Sequence, residues 1–150
     1  RFLFLGPRTS FSKRLFAHQK DARIIEMDIV DLQTKTNALA ACNLLCLPSS
    51  QESFGGVFTE AWSFGKPVIG GDIPAVREVV DQGVNGYLVQ PAAPAIADRI
   101  CYLLKNPAVA ETLGQAGQEK VLDRYNWDRL AQKTEQIYTA VLQKYCEKGK

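Results

Sequence analysis

Residues Pro48–Gly71 read PSSQESFGGVFTEAWSFGKPVIGG, and the order of elements in that stretch decides the fold. Leu44 to Leu47, just before it, form a continuous apolar run, as expected of a strand buried on both faces. Phe58, Ala61, Trp62 and Gly65 then recur at helical spacing, so a helix starts at Gly56 or Val57, with Glu60 pointing away from its apolar face. A strand end, a glycine turn and a helix N-terminus together make an anion site, because unpartnered N–H groups and the positive end of the helix dipole converge there. Glu52 lies before the glycine pair and Glu60 after it. A carboxylate accepts two hydroxyl hydrogen bonds at once. The stretch therefore suits a ligand that carries both phosphates and hydroxyls.

The spacing of the two acids carries little of this argument. Glu111 and Glu119 are separated by the same interval in a polar helical segment with no glycine turn before them. That second pair reads as solvated helix surface. Only context distinguishes Glu52 and Glu60.

Working outward, strands and helices alternate. Arg1–Leu5 is an apolar strand closed by Gly6-Pro7. Ser10 or Ser12 can cap a helix running to about Gln19, with Leu15 and Phe16 inward. Arg23–Met27 is a second strand, and Asp31 caps a helix through Cys42 with Leu32, Leu39 and Ala40 inward. After the central stretch comes a short strand, Pro67–Ile69, and a Gly70-Gly71-Asp72 turn. Pro74 then suits the first turn of a helix over Ala75–Val80. Asn85-Gly86 signals a turn before a strand at Tyr87–Val89. Beyond Pro91 the pattern is helical: Ala95–Leu104, then Pro107 to about Tyr125, then a helix from Trp127. The last carries Leu130, Ile137, Tyr138, Val141, Leu142 and Tyr145 in one stripe. This order predicts an α/β fold, a Rossmann-like parallel sheet with helices on both faces and a helical C-terminal segment. In open sheets of this kind ligands bind at the carboxyl ends of the strands. The Glu52–Gly56 loop and the Gly70–Pro74 loop both lie at such ends and should line one crevice.

Bulk properties narrow the function classes. The 150 residues suffice for one domain with a real core. The 18 basic and 16 acidic residues nearly balance, which excludes a nucleic-acid reading on charge. No apolar run approaches the ~20 residues of a membrane span, and nothing resembles a signal peptide. Cys42, Cys46, Cys101 and Cys146 show no C-x-x-C spacing and read as buried free thiols of a reducing cytoplasm. The chain has a single histidine, His18, on a polar helix face, so no Ser-His-Asp or Cys-His constellation is available. Trp62 reads as core. RFLFLG opens directly on a strand with no preceding Met, as a piece of a longer protein would.

At this level of detail the chain resembles the donor-binding half of retaining glycosyltransferases of the family-4 type, with the GT-B fold. Pro48-Ser49, Glu52, Ser53, Phe54-Gly55, Glu60, Ala61, Gly65 and Pro67-Val68 carry the resemblance. It extends through Arg77-Glu78, Asn85-Gly86 and Leu88-Val89 to Trp127. The resemblance implies that residues 1–150 are a single nucleotide-sugar-binding domain, the C-terminal half of a GT-B enzyme lacking its N-terminal acceptor domain. That missing domain would be its partner and the only route to membrane association. Glu52 would be the catalytic-site carboxylate at the sugar hydroxyls, a positioning group rather than an established nucleophile. Ser53, Phe54, Gly55, Gly56 and Val57 would contact sugar and diphosphate, the last four chiefly through backbone N–H groups, and Glu60 would take the ribose hydroxyls. Met27, Asp28 and Ile29 follow a strand where the family places the base. Gly71, Asp72 and Glu78 belong to the second strand-end loop.

No metal cofactor is implied, and no Asp-x-Asp pair is present to hold one between phosphates. Two departures stand out. Ser53 and Gly56 replace a glycine and a bulky residue, and the family's diphosphate-gripping Arg/Lys pair lies upstream of residue 1. The isolated chain is therefore expected to be inactive and to bind donor weakly. A nucleotide-sugar epimerase on the same fold and a non-catalytic nucleotide-binding domain remain as alternatives at this point.

Overall fold

The computed structural model describes residues 1–148, with side chains through residue 145. The chain divides into two compact units, Arg1–Ala41 and Cys42–Lys150.

In the first unit, β1 (Phe2–Leu5), α1 (Ser10–Phe16), β2 (Ile24–Met27) and α2 (Leu32–Ala41) follow one another. The strands pair in parallel, Phe2 opposite Ile24 and Leu5 opposite Met27. Thr9, not Ser10 or Ser12, caps α1: its backbone is extended and its hydroxyl accepts the Ser12 N–H at 3.1 Å. The helix stops at Phe16 rather than near Gln19. This leaves His18 beyond its end at the surface, and Leu15 is 63% exposed instead of inward. Asp31 caps α2 as expected, accepting the Thr34 N–H at 2.7 Å. Of the residues expected inward on α2, Leu39 is buried. Leu32 and Ala40 are exposed, Ala40 because one residue along a helix turns it about 100° from Leu39.

The second unit holds β3 (Leu45–Leu47), α3 (Gly56–Ser63), β4 (Val68–Gly71), α4 (Pro74–Arg77) and β5 (Gly86–Val89). After them come α5 (Ala93–Lys105), α6 (Pro107–Arg124) and α7 (Trp127–Lys148). The three strands are parallel in the order β3-β4-β5, with Leu47 opposite Gly70 and Gly71 opposite Val89. β3 is half-buried rather than covered on both faces, since it lies at the edge of this sheet. β4 runs through Gly70 and Gly71, where the sequence pattern predicts a turn. They stay in the strand because neighbouring groups fill the space their side chains would need. A Cβ on Gly70 would lie 2.7 Å from Val76, and one on Gly71 would lie 2.0 Å from the Ser49 carbonyl oxygen.

Alternation along β4 divides the core between the two faces of the sheet. Ile69 joins Val89, Leu103 and Leu113 on the side of α5 and α6. Gly70 faces Phe58 and Val76 on the other side, and Gly86 of β5 lies against Val68 and Val80. α3 lies against α6 at their small residues. The space a Cβ would need on Gly114 is taken by the Gly65 carbonyl, and that on Gly117 by the Trp62 indole. Trp62 and Phe58 are fully buried, each worth roughly 2–3 kcal/mol of apolar burial.

Lys120 is a buried lysine the sequence did not flag. Its ammonium donates to the Val79 carbonyl at 2.7 Å and to the Asp81 carboxylate at 2.6 Å. The signal for it was faint: Lys120 falls three residues after Gly117, on the same helix face as the glycines.

Glu111 and Glu119 are exposed, as solvated helix surface should be. The apolar stripe of α7 is also at the surface, from Leu130 through Ile137 and Val141 to Tyr145. The reading of four buried thiols is corrected in part: Cys101 is exposed, and Cys42 and Cys46 are half-buried. Burial still pushes both half-buried thiols up, Cys46 to about 11. Cys146 lies outside the described side chains. No helix among the described residues is long and apolar enough to cross a membrane.

Gly117→Ala should lower stability by about 1–3 kcal/mol, because the added methyl meets a fully buried indole that cannot shift. Glu119→Ala, two residues on at the surface, should leave stability within ~0.5 kcal/mol in the same chemical denaturation series.

Candidate functional site

The carboxyl end of the three-stranded sheet is built from two loops that touch. After β3 the chain passes through Ser49. β4 ends at Gly71, whose missing side chain admits the Ser49 backbone, and the chain turns from Asp72. The chain after β3 and the end of β4 therefore touch at Ser49 and Gly71. Glu52, Ser53, Phe54, Gly55, Gly56, Val57, Glu60, Gly71, Asp72 and Glu78 all belong to this unit.

Gly55 determines the shape of the first loop. It is the N-cap of α3, with φ 77° and ψ 45°, in the left-handed region that glycine alone adopts at little cost. A Cβ there would also lie 2.6 Å from the Phe58 ring. Having no side chain, Gly55 cannot cap the helix. The Phe58 N–H bonds back to the Gly55 carbonyl at 2.9 Å, and no side chain caps the other first-turn N–H groups, which lie at the positive end of the helix dipole. An added Cβ on Gly56 would meet nothing within 4 Å, so the space in front of this turn is open.

Glu52 is half-buried, and its Oε1 accepts the Ser53 N–H at 2.9 Å. This local bond holds the carboxylate next to the turn. Glu60 lies one helical turn into α3 and is half-buried too. Ser53 is exposed, and Phe54, 46% exposed, sets its ring 5.5 Å from that of Tyr125 in an edge-on contact. Tyr125 ends α6 and was read only as the approximate limit of that helix.

In the second loop Asp72 is a fixed turn residue. Its N–H donates to the Val89 carbonyl at 2.9 Å. Its carboxylate accepts from Arg77 Nε at 2.6 Å and from Gln90 Nε2 at 3.2 Å. The Arg77 hydrogen bond, more than any charge effect, holds the Asp72 carboxyl below the usual carboxylate range. Glu78 follows α4 at its C-cap and is exposed, its N–H bonded to the Pro74 carbonyl.

Met27, Asp28 and Ile29 lie at the end of β2 in the first unit. Asp28 accepts the Ile29 N–H at 2.8 Å and the Arg8 N–H at 3.1 Å, and these two bonds lower its pKa in that order of importance. The Arg8 guanidinium is itself engaged by both oxygens of Glu26. Met27 and Ile29 are exposed.

The sequence profile of the family described as "Glycosyl transferases group 1" matches residues 27–120. The chain belongs to this family. It is 36% identical over 114 residues to a phosphatidyl-myo-inositol mannosyltransferase of Mycobacterium leprae, covering 75% of this chain and 30% of the relative. It is 33% identical over 105 residues to an N-acetyl-alpha-D-glucosaminyl L-malate synthase of Bacillus anthracis, covering 69% of this chain and 28% of that protein. The chain thus spans under a third of the length of these curated relatives. Among solved structures, sucrose-phosphate synthase from Thermosynechococcus elongatus superposes with a TM-score of 0.83. That match has 28% identity and covers 94% of this chain and 38% of the other. The Anabaena protein HepE in complex with UDP-glucose gives a TM-score of 0.79 at 22% identity, over 92% of this chain and 40% of the other, a likeness of fold. The expected α/β architecture, with a parallel sheet, flanking helices and a C-terminal helix, is the one these structures share.

A carboxyl-directed NMR titration should show Asp72 releasing its proton below the ordinary aspartate value of ~4. Arg77→Gln should move that midpoint back up. Because the folded pKa is depressed, the Asp72 contribution to stability is present above the unfolded value and fades as pH falls through the lowered one.

Proposed function

We propose that this chain is the donor-binding part of a retaining glycosyltransferase, which moves a sugar from a nucleotide-sugar onto an acceptor hydroxyl. The observation that carries the reading is the Gly55 turn. It starts α3 without a side-chain cap, three residues after the half-buried Glu52 and about one helical turn before the half-buried Glu60. Family membership and the sugar-transferring relatives support transfer over epimerisation or simple nucleotide binding. The HepE complex, whose ligand is UDP-glucose, supports a nucleotide-sugar as donor. Residues 1–150 would form one nucleotide-sugar-binding domain, and the acceptor would be held by a part of the protein outside this chain. A cytoplasmic location fits enzymes that draw on nucleotide-sugar pools.

In this reading Glu52 accepts hydrogen bonds from the sugar hydroxyls, and Glu60 accepts them from the ribose. The N–H groups of Gly55, Gly56 and Val57 stabilise the negative charge that grows on the diphosphate as the anomeric C–O bond breaks. The acceptor oxygen bonds to the anomeric carbon on the same face, and its proton passes to the departing phosphate oxygen. Ser53 and Phe54 border the sugar. Gly71, Asp72 and Glu78 shape the facing loop. The helix dipole and these N–H groups take the place of a metal on the diphosphate.

In the full-length protein, Glu52→Ala and Glu60→Ala should each reduce transfer by roughly 10–100-fold, the cost of hydrogen bonds to a charged group, with unchanged thermal unfolding. Near-normal transfer by both variants would refute the site. Product analysis should show a glycosylated acceptor with retained anomeric configuration, and an epimerised nucleotide-sugar would refute the reaction. Transfer should be unaffected by excess EDTA, whereas loss restored by a divalent ion would contradict the metal-independent reading.

A further inference from the structure

The Phe54–Gly55 turn is held from two sides. On its inner side Gly55 lies against the buried Phe58 ring, with no room for a side chain. On its outer side the one large apolar group of the turn, Phe54, meets the Tyr125 ring edge-on at 78°. Tyr125 is well placed to act as a stop. It forms the junction between α6 and α7, with its N–H bonded to the Val121 carbonyl. Asn126, next to it, caps α7 by accepting the Asp128 N–H at 2.8 Å. The end of α6 is anchored by buried Lys120 on Val79 and Asp81, one and a half turns earlier. The Tyr125 ring is partly buried, and that burial raises its hydroxyl pKa.

We infer that Tyr125 is a positioning residue for the donor site, fixing through its ring contact with Phe54 where the Gly55–Val57 N–H groups point. This rests on the donor-binding reading above. It assigns a function to the α6–α7 junction, more than sixty residues along the chain from the turn it supports. The ring carries the role and the hydroxyl does not, because the contact recorded is between ring faces and edges. An aromatic pair of this kind is worth enough to shift an equilibrium by about 3–10-fold.

The test is isothermal calorimetry on the full-length protein with UDP-glucose, GDP-mannose and ADP-glucose, using whichever binds the wild type most tightly. Tyr125→Leu should weaken binding about 3–10-fold, and Tyr125→Phe should bind within about 2-fold of wild type. Phe54→Leu combined with Tyr125→Leu should be no weaker than Phe54→Leu alone, since both remove one contact. Tyr125→Met provides a second replacement if the leucine variant does not fold. Wild-type affinity in a folded Tyr125→Leu or Tyr125→Met, or additive losses in the double variant, would overturn the inference while leaving the donor site standing. Failure of the wild type to bind any of the three would overturn the donor-binding reading and this inference together.

Discussion

The Trp62 indole donates its N–H to the Asn85 carbonyl at 2.9 Å from a fully buried position, and the placement of the functional loop depends on that bond. Trp62 lies on α3, the helix that follows the Gly55 turn. Its ring fills the space left by Gly117 on α6, so α3 and α6 approach as closely as a side chain against bare backbone allows. The Asn85 side chain in turn accepts the Asp81 N–H and donates to the Asp81 carboxylate, which also receives Lys120. Helix, helix and turn are thereby joined in one network, buried at Trp62, Asn85 and Lys120 and open to solvent at Asp81. It is costly to break at its buried members, because the groups left behind lose their partners.

From that network the site follows. With α3 held rigidly at Trp62 and Phe58, the chain before it has to reverse sharply to reach β3, and Gly55 makes the reversal in the left-handed region. The reversal leaves the start of α3 without a side-chain cap, which is the property a diphosphate would use. The facing loop is set just as firmly. Gly71 admits the Ser49 backbone, and Asp72 is tied to Arg77, Gln90 and Val89. The two strand ends thus touch through Ser49 and Gly71, and the Glu52 carboxylate is held beside its turn by the Ser53 N–H. Preorganisation of this kind is what allows fixed dipoles to stabilise developing charge without reorganising.

Much of this was legible in the sequence, for identifiable reasons. The strand–turn–helix order around Gly55 showed because apolar runs and 3.6-residue spacing change abruptly at glycines. Asp31 as a cap and Trp62 as core were likewise readable from local pattern. Gly70 and Gly71 were misplaced in a turn because double glycine is turn chemistry by itself. Only the tertiary proximity of Val76 and of Ser49 shows why a strand needs bare backbone there. Thr9 lost the α1 cap to its serine neighbours because all three residue types can cap. Buried Lys120 and the Phe54–Tyr125 contact join residues far apart in sequence, and no local periodicity reports such pairs. Exposed Cys101 was misread because cysteine's usual burial is a statistical tendency and carries no information on helix face.

The central claim is that the α3 N-terminus, aimed by Gly55, receives the diphosphate of a nucleotide-sugar. Backbone amide NMR of the full-length protein, titrated with UDP-glucose, GDP-mannose and ADP-glucose, addresses it most directly. The account predicts that at least one of these shifts the Gly55, Gly56 and Val57 amides strongly and saturably, with weaker effects near Gly71 and Asp72. Saturable binding that leaves those three amides unmoved, or no binding by any of the three, would contradict it.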